Sequence, residues 1–317
     1  MPEMNHDIDI YVATHKEIDY ILPDGYKPMQ VNCKVSGTHW DGYLHDDDGD
    51  NISEKNSSYC ELTVLYSLWK NSQADIKGLC HYRRYLTGDP NLGIGIWKGK
   101  SELKRAMPSI AIQKDEIVSA LKDSDIILPI PNGPFPGQVS EERLQYCYKK
   151  DLDALRQVIQ DSFCDYLDSF DWVMNQRVLP SCNLLIAKRE VFDNYCEWLF
   201  SVLSKAEEKC DISSYDTQHK RLYGFLAEIL INVYTKQNGL RCKYYNKVLL
   251  SDYWEQSSNL LKRTIKRSYP LQLILKAGPS AFAIWCYKHF KKKQYEDYLL
   301  LKQYLADRET EAANSGK

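Results

Sequence analysis

Two adjacent arginines, Arg83 and Arg84, follow a histidine in Gly78-Leu-Cys-His-Tyr-Arg-Arg-Tyr85. The apolar run that starts at Ile76 reads as a buried strand ending at this point. Two guanidiniums leaving a core strand are costly unless an anion meets them. Their planar forks match phosphate oxygens two at a time, and an ion pair with an acidic surface is the plainer alternative. An earlier strand, over Asp7–Thr14, ends in Thr14, His15 and Lys16. A hydroxyl, an imidazole and an ammonium at the carboxyl end of a strand suit a nucleotide site in an open α/β sheet. Glu228 falls in a helix predicted over Asp216–Lys236, whose core stripe is Leu222, Phe225, Leu226, Ile229, Leu230 and Val233. Gly224, one turn earlier, is expected to leave open space over that carboxylate. Glu228 could then act as a general base, with Asp216 as the alternative. A surface or ion-paired Glu228 is the plainer reading.

Asp46-Asp-Asp-Gly-Asp-Asn51 is an acidic loop in which Asp46, Asp48 and Asp50 are candidate ligands for a hard divalent cation. The closing Glu of an EF-hand is missing, and a solvated loop explains the segment as well. Ser58-x-x-Glu61 reads as a capping box, which would leave Glu61 satisfying backbone N–H groups. Tyr59, Leu62, Thr63, Tyr66 and Trp69 then recur at helical spacing. Asp125–Pro129 and Ser181–Ala187 read as strands, and 142–160, 162–175 and 191–203 as amphipathic helices. Asn132-Gly-Pro-Phe-Pro-Gly137 has the turn chemistry of a lid loop. Strand and helix alternate from residue 7 to about 250, which predicts an α/β domain with a mostly parallel sheet. No internal repeat is present.

The chain has 317 residues, of which 44% are apolar and 26% charged. That composition excludes fibrous and linker-dominated proteins, and 23 tyrosines with 7 tryptophans suit clefts for rings and sugars. The net charge of −2 conceals an asymmetry: residues 1–256 carry 29 Lys and Arg against 38 Asp and Glu, and residues 257–317 carry 12 against 5. From Ser257 to Lys293 there are nine basic residues and no acidic ones. Leu260–Arg267 and Ala281–Phe290 mix basic and bulky apolar residues, as segments lying on anionic membrane surfaces do. The division expected is therefore 1–256 as the folded domain and 257–317 as a basic, amphipathic helical tail. A helical appendage packed on the acidic body is the alternative for the tail.

Ten cysteines stand singly, without CxxC or zinc-finger spacing. With no signal-peptide pattern at the start of the chain, they read as small buried hydrophobes in a reducing cytoplasm. No apolar run reaches the ~20 residues of a membrane span; Ala277–Tyr287 comes nearest. The basic tail lacks any nucleic-acid-binding motif, so no nucleic-acid partner is expected.

In order along the chain, Gly49–Asn56, Tyr59-Cys-Glu-Leu-Thr63, Gly78–Tyr85, Asp125–Pro129, Tyr195-Cys-Glu-Trp-Leu199 and Tyr223-Gly-Phe-Leu-Ala-Glu228 resemble one bacterial family. It is the family of capsular and exopolysaccharide glycosyltransferases long described as a domain of unknown function, and the resemblance covers about 7–250. It implies a GT-A-like fold and transfer of a sugar from a nucleotide donor to a growing capsule or O-antigen glycan. Some members are taken to be galactofuranosyltransferases, which makes UDP-galactofuranose the leading donor. Thr14, His15, Lys16, Asn51, His81, Arg83 and Arg84 become the donor-binding candidates. Asn183 and Arg221 become acceptor-binding or supporting residues.

Many GT-A enzymes end a central strand with a metal-binding Asp-x-Asp. Here the strand ends in His81-Tyr-Arg-Arg84, so the expectation is a diphosphate neutralised by cations without a cofactor, Mn or Mg at Asp46–Asp50 being the alternative. An inverting displacement is expected, with a lipid-linked or oligosaccharide acceptor on the inner face of the cytoplasmic membrane. A non-catalytic glycan- or nucleotide-binding module is the competing reading.

Overall fold

The computed structural model describes residues 6–88, 108–133, 135–250 and 292–314. The basic stretch from Ser257 through Lys291, with its two amphipathic runs, lies outside the described residues. Eight strands make one sheet: β1 (Ile8–Thr14), β2 (Tyr26–Gln30), β3 (Leu44–His45), β4 (Ile76–His81), β5 (Arg84–Thr87), β6 (Ile126–Pro129), β7 (Leu185–Lys188) and β8 (Cys242–Leu249). The helices are α1 (Cys33–Ser36), α2 (Asn56–Tyr59), α3 (Leu62–Asn71), α4 (Lys114–Asp123), α5 (Val139–Glu142), α6 (Lys149–Ser162), α7 (Leu167–Met174), α8 (Arg189–Lys209), α9 (Leu222–Gln237) and α10 (Lys292–Asn314).

β1 is central. Every one of its residues is buried, as expected of a strand covered on both faces. Its side chains alternate between two cores. Tyr11 and Ala13 join a cluster built with α3, α6, α7, α8 and α9. Ile8, Ile10 and Val12 join a second one, which also takes Ile117 and Leu121 of α4. β1 pairs in parallel with β2 on one side and β4 on the other, and β3 flanks β2.

Beyond β4 the expected mostly parallel sheet becomes mixed. β7 pairs antiparallel with both β4 and β6, and β5 antiparallel with β4 and β8, while β6 and β8 run parallel. Because β7 returns to β4 while β5 also meets it, β4, β5, β8, β6 and β7 close into a five-strand ring. The reversal has a local cause: β4 and β5 are joined by a tight turn in which His81 pairs with Arg84. Apolar runs such as Ile126–Pro129 and Leu185–Ala187 look alike in either direction, so alternation of strands and helices did not reveal it.

Three further expectations change. The helix expected to start at Ser58 is broken at Cys60, whose φ of 54° and ψ of −128° separate α2 from α3. No capping box forms there, and the Ser58 hydroxyl instead donates to the Lys55 carbonyl. The supposed lid is tied down, since the Phe135 N–H donates to the Arg177 carbonyl and the Arg177 guanidinium donates back to the Phe135 carbonyl. Gly224 is not open on its outer side: a Cβ there would stand 3.4 Å from Cys60 Cβ and 3.5 Å from the Tyr59 carbonyl oxygen. The nine described cysteines are all free thiols. Among the described residues no helix is long and apolar enough to cross a membrane.

Candidate active site

The parallel register of β1 and β4 sets Ala13 beside His81, so Thr14-His15 and His81-Tyr82 leave the sheet together at its carboxyl edge. The tight turn into β5 then brings Arg83 and Arg84 to the same place. From the opposite side come the α2–α3 corner, with Cys60 and Glu61, and the segment preceding α9, with Thr217, Lys220 and Arg221. Together they enclose a cavity of about 440 Å³. Two other hollows, of about 740 and 510 Å³, open beside Lys188-Arg189 and beside Arg308, away from these strand ends.

The cavity is cationic. Arg83, Arg84, Lys220 and Arg221 all line it, and among the described residues no salt bridge takes up any of the four. Arg83 lies 5.0 Å from the Tyr82 ring centroid, and Arg221 lies 5.3 Å from that of Phe225 while donating from Nε to Cys60 Sγ at 3.2 Å. The amino end of α9 adds its partial positive charge to the same wall. Both imidazoles respond. Burial, then Arg84 and Arg83, hold His81 down at about 2. Burial and Arg83 also lower His15, whose ring stands edge-on to Tyr82 at 5.0 Å. Both therefore face the cavity as neutral rings. Thr14 is held by its own turn, its hydroxyl donating to the Lys16 carbonyl at 2.5 Å. Lys16 itself lies over the Tyr82 ring and does not line the cavity.

Glu61 is the one carboxylate in the lining. Asn183 Nδ2 donates to its Oε1 at 3.0 Å and to the Gly224 carbonyl at 2.9 Å. Asn183 and its neighbour Cys182 both have positive φ, 48° and 81°, and so does Cys60. Non-glycine residues held in sparsely populated backbone regions cost about 1–3 kcal/mol each and persist where the surroundings over-determine them. Burial raises the Glu61 carboxyl above its ordinary range; Glu228 pushes the same way, and Asn183 and Arg84 oppose them.

The remaining sequence candidates are placed elsewhere. Glu228 accepts from Arg143 Nη1 at 2.7 Å and does not line the cavity. Asp216 accepts the backbone N–H groups of Gln218 and His219, and its Oδ2 meets His219 Nδ1 at 2.6 Å. Those bonds lower its pKa, which leaves it a weak base. Asn51 knits the acidic loop, donating to the Asp47 and Gly49 carbonyls.

Within that loop Asp46 is fully buried and accepts from the Asn32 and Cys33 N–H groups and the Ser53 and Thr63 hydroxyls. Its oxygens are thus committed to holding α1, the loop and α3 together. Asp48 faces His45, and Asp50 accepts from the Tyr66 hydroxyl. Among the described residues, the ligand atoms that converge within 4.8 Å belong to Cys33, His39 and Asp47. A thiol, an imidazole and a carboxylate suit zinc-like ions better than Mg or Mn, which prefer all-oxygen shells. That group does not line the cavity.

Sequence reasoning thus assembled six cavity residues: Thr14, His15, His81, Arg83, Arg84 and Arg221. It passed over Glu61, which it assigned to a helix cap, and Thr217 and Lys220, which carried no signal beyond their nearness to Arg221.

Residues 9–239 match the model of a family described as a domain of unknown function, DUF4422. No curated protein matches the chain. Among solved structures, the apo form of WbbM, a bifunctional glycosyltransferase, superposes with a TM-score of 0.68 at 26% identity. The match covers 77% of this chain and 45% of WbbM, so the chain spans less than half of that protein's length.

Proposed function

The chain belongs to the DUF4422 family, and from that premise we propose that it is a glycosyltransferase whose cationic cavity holds the diphosphate of a nucleotide-sugar donor. The observation that carries this reading is the convergence of Arg83, Arg84, Lys220 and Arg221 on one cavity at the carboxyl ends of β1 and β4, with no salt bridge to any of them among the described residues. Ligands of open α/β sheets gather at that edge. The likeness to a bifunctional glycosyltransferase supports the reaction class, and the resemblance of the sequence motifs supports UDP-galactofuranose as donor and a capsule or O-antigen glycan, lipid-linked or free, as acceptor.

In this reading the acceptor hydroxyl attacks the anomeric carbon as the bond to the diphosphate breaks, and the product has inverted configuration. The four cations meet the charge that develops on the leaving diphosphate, the role a metal ion fills in Asp-x-Asp enzymes. Thr14, His15 and His81 border the nucleotide, and Asn183 supports the site through Glu61. The acidic loop is the alternative cation site, although the bonds of Asp46 leave it little freedom to serve. A non-catalytic binding module is the second reading, favoured by the engagement of Glu228 and Asp216 in other bonds.

Saturation-transfer NMR against UDP-, GDP- and dTDP-sugars, in EDTA and then with Mn²⁺, tests the proposal. The expected result is UDP-sugar binding in EDTA, weakened at least about 100-fold when Arg83 and Arg84 are both replaced by Ala, since hydrogen bonds to charged groups contribute about 1.5–3 kcal/mol each. Binding that requires Mn²⁺ would redirect attention to the loop. No nucleotide binding at all would overturn the donor reading.

A further inference from the structure

Glu61 is the one carboxylate lining the cavity among the described residues, and the neutral rings of His15 and His81 are made weaker bases by burial and by the arginines beside them. The position of Glu61 is built by two unusual backbone features, the break at Cys60 and the paired positive-φ residues Cys182 and Asn183, and Asn183 also bonds the Gly224 carbonyl. Asn183 is the one side chain hydrogen-bonded to it among the described residues, and it takes Oε1. The two other carboxylates considered for the role are bound elsewhere, Glu228 by Arg143 and Asp216 by His219.

We infer that Glu61 is the catalytic base of the transfer, held by Asn183 to receive the proton of the acceptor hydroxyl. The inference rests on the donor reading above. The acceptor's O–H proton passes to a Glu61 carboxylate oxygen, and the acceptor oxygen forms its bond to the anomeric carbon. The anomeric carbon's bond to the diphosphate breaks, and the electron pair leaves on a phosphate oxygen facing Arg83, Arg84, Lys220 and Arg221. Water then removes the proton from Glu61. The charges around Glu61 are Arg84 from β5, Arg221 before α9 and Glu228 within α9. Burial, the largest influence, makes the carboxylate more basic than an exposed one. The rival assignment makes Glu61 a mere counter-ion for the arginines.

The test uses full-length protein carrying Glu61→Gln, with UDP-galactofuranose as donor, water standing in for the acceptor, and UDP release as the signal. The expected result is UDP affinity within about threefold of wild type and turnover lower by about 10³-fold, within the range of general-base effects. Wild-type turnover should fall as pH drops through the Glu61 pKa, and the variant should lose that acid limb. Thermal melts give a readout independent of turnover. A group whose folded pKa is raised is penalised in its charged form, so at pH above that pKa the variant should melt higher than wild type. The gap should close as pH falls through the folded pKa. Asn183→Ala is the second variant, expected to lower kcat while sparing UDP affinity. Turnover retained in Glu61→Gln, a parallel loss of UDP affinity, or a lower melting point at neutral pH would each overturn the assignment. If wild type binds no nucleotide, the donor reading has failed first.

Discussion

At the scale of single residues, the neutral His15 imidazole among cations should gain a proton as it meets an anion. His15 is lowered by burial and by Arg83, Lys16 and Arg221, so an arriving diphosphate that offsets those charges raises it again. Binding of a UDP-sugar, whose diphosphate has no group titrating between pH 6 and 8, is therefore expected to take up protons. By linkage, affinity strengthens as pH falls through the ordinary imidazole range toward the lowered pKa of free His15. Calorimetry in two buffers of different ionisation enthalpy measures the uptake, and His15→Gln should remove most of it. A proton-neutral association would show that the diphosphate lies away from His15. His15, His81, Arg83 and Arg84 were legible in the sequence because they sit just past apolar runs, where a strand must end and its polar successors must emerge. Glu61 was not, because its placement depends on the left-handed turn at Cys60 and on Asn183, 122 residues away. No local pattern encodes that pairing, and Ser58-x-x-Glu61 imitated a helix cap.

Among the elements, β4 does most to hold the site, since it pairs with β1, β5 and β7 and ends in His81. It can lie between β1 and β7 only because its middle residue has no side chain. A Cβ on Gly78 would stand 2.8 Å from Ile186 Cγ1, 3.1 Å from the Leu185 carbonyl oxygen and 3.3 Å from Ile10 Cγ1. Gly78→Ala must therefore push β7 or repack both isoleucines. Overpacking of this kind costs about 1–3 kcal/mol, to be read as a lower urea midpoint with an unchanged m-value. A midpoint within error of wild type would mean the strands can part without cost. Gly224 offers the contrast: its would-be Cβ contacts lie at ordinary van der Waals distance. Both glycines were visible in the sequence, but only three-dimensional neighbours distinguish a position that must be empty from one that happens to be. Strand positions were legible from apolar runs in the same way. Their directions were not, since a strand buried on both faces carries no mark of which way it runs.

The whole molecule separates its charge along the chain, with an excess of nine acidic residues up to 256 and of seven basic ones after it. The basic stretch is bracketed by two described elements, β8 and α10. α10 lies against the body: Tyr304 is buried and stacks on Trp172 with centroids 5.9 Å apart, and Arg308 is buried and donates to Cys242 Sγ at 3.6 Å. Cutting the chain at 256 would remove those contacts together with the charges and confound stability with binding. Replacing Lys262, Arg263, Lys266 and Arg267 by Gln in the full chain isolates the electrostatic effect. If the protein works at an anionic inner leaflet, where a lipid-linked acceptor would lie, each basic residue near the surface contributes about 1 kcal/mol. The four substitutions together should then weaken partitioning onto phosphatidylserine vesicles by about 1,000-fold. Raising salt from 0.1 to 0.5 M should produce a similar loss in the wild type, because the attraction is screened over a Debye length of about 10 Å at the lower concentration. Flotation with anionic and with neutral vesicles measures both effects. Equal recovery of variant and wild type on anionic vesicles would remove the membrane from the account, leaving the acidic body of the same chain as the partner of the basic segment.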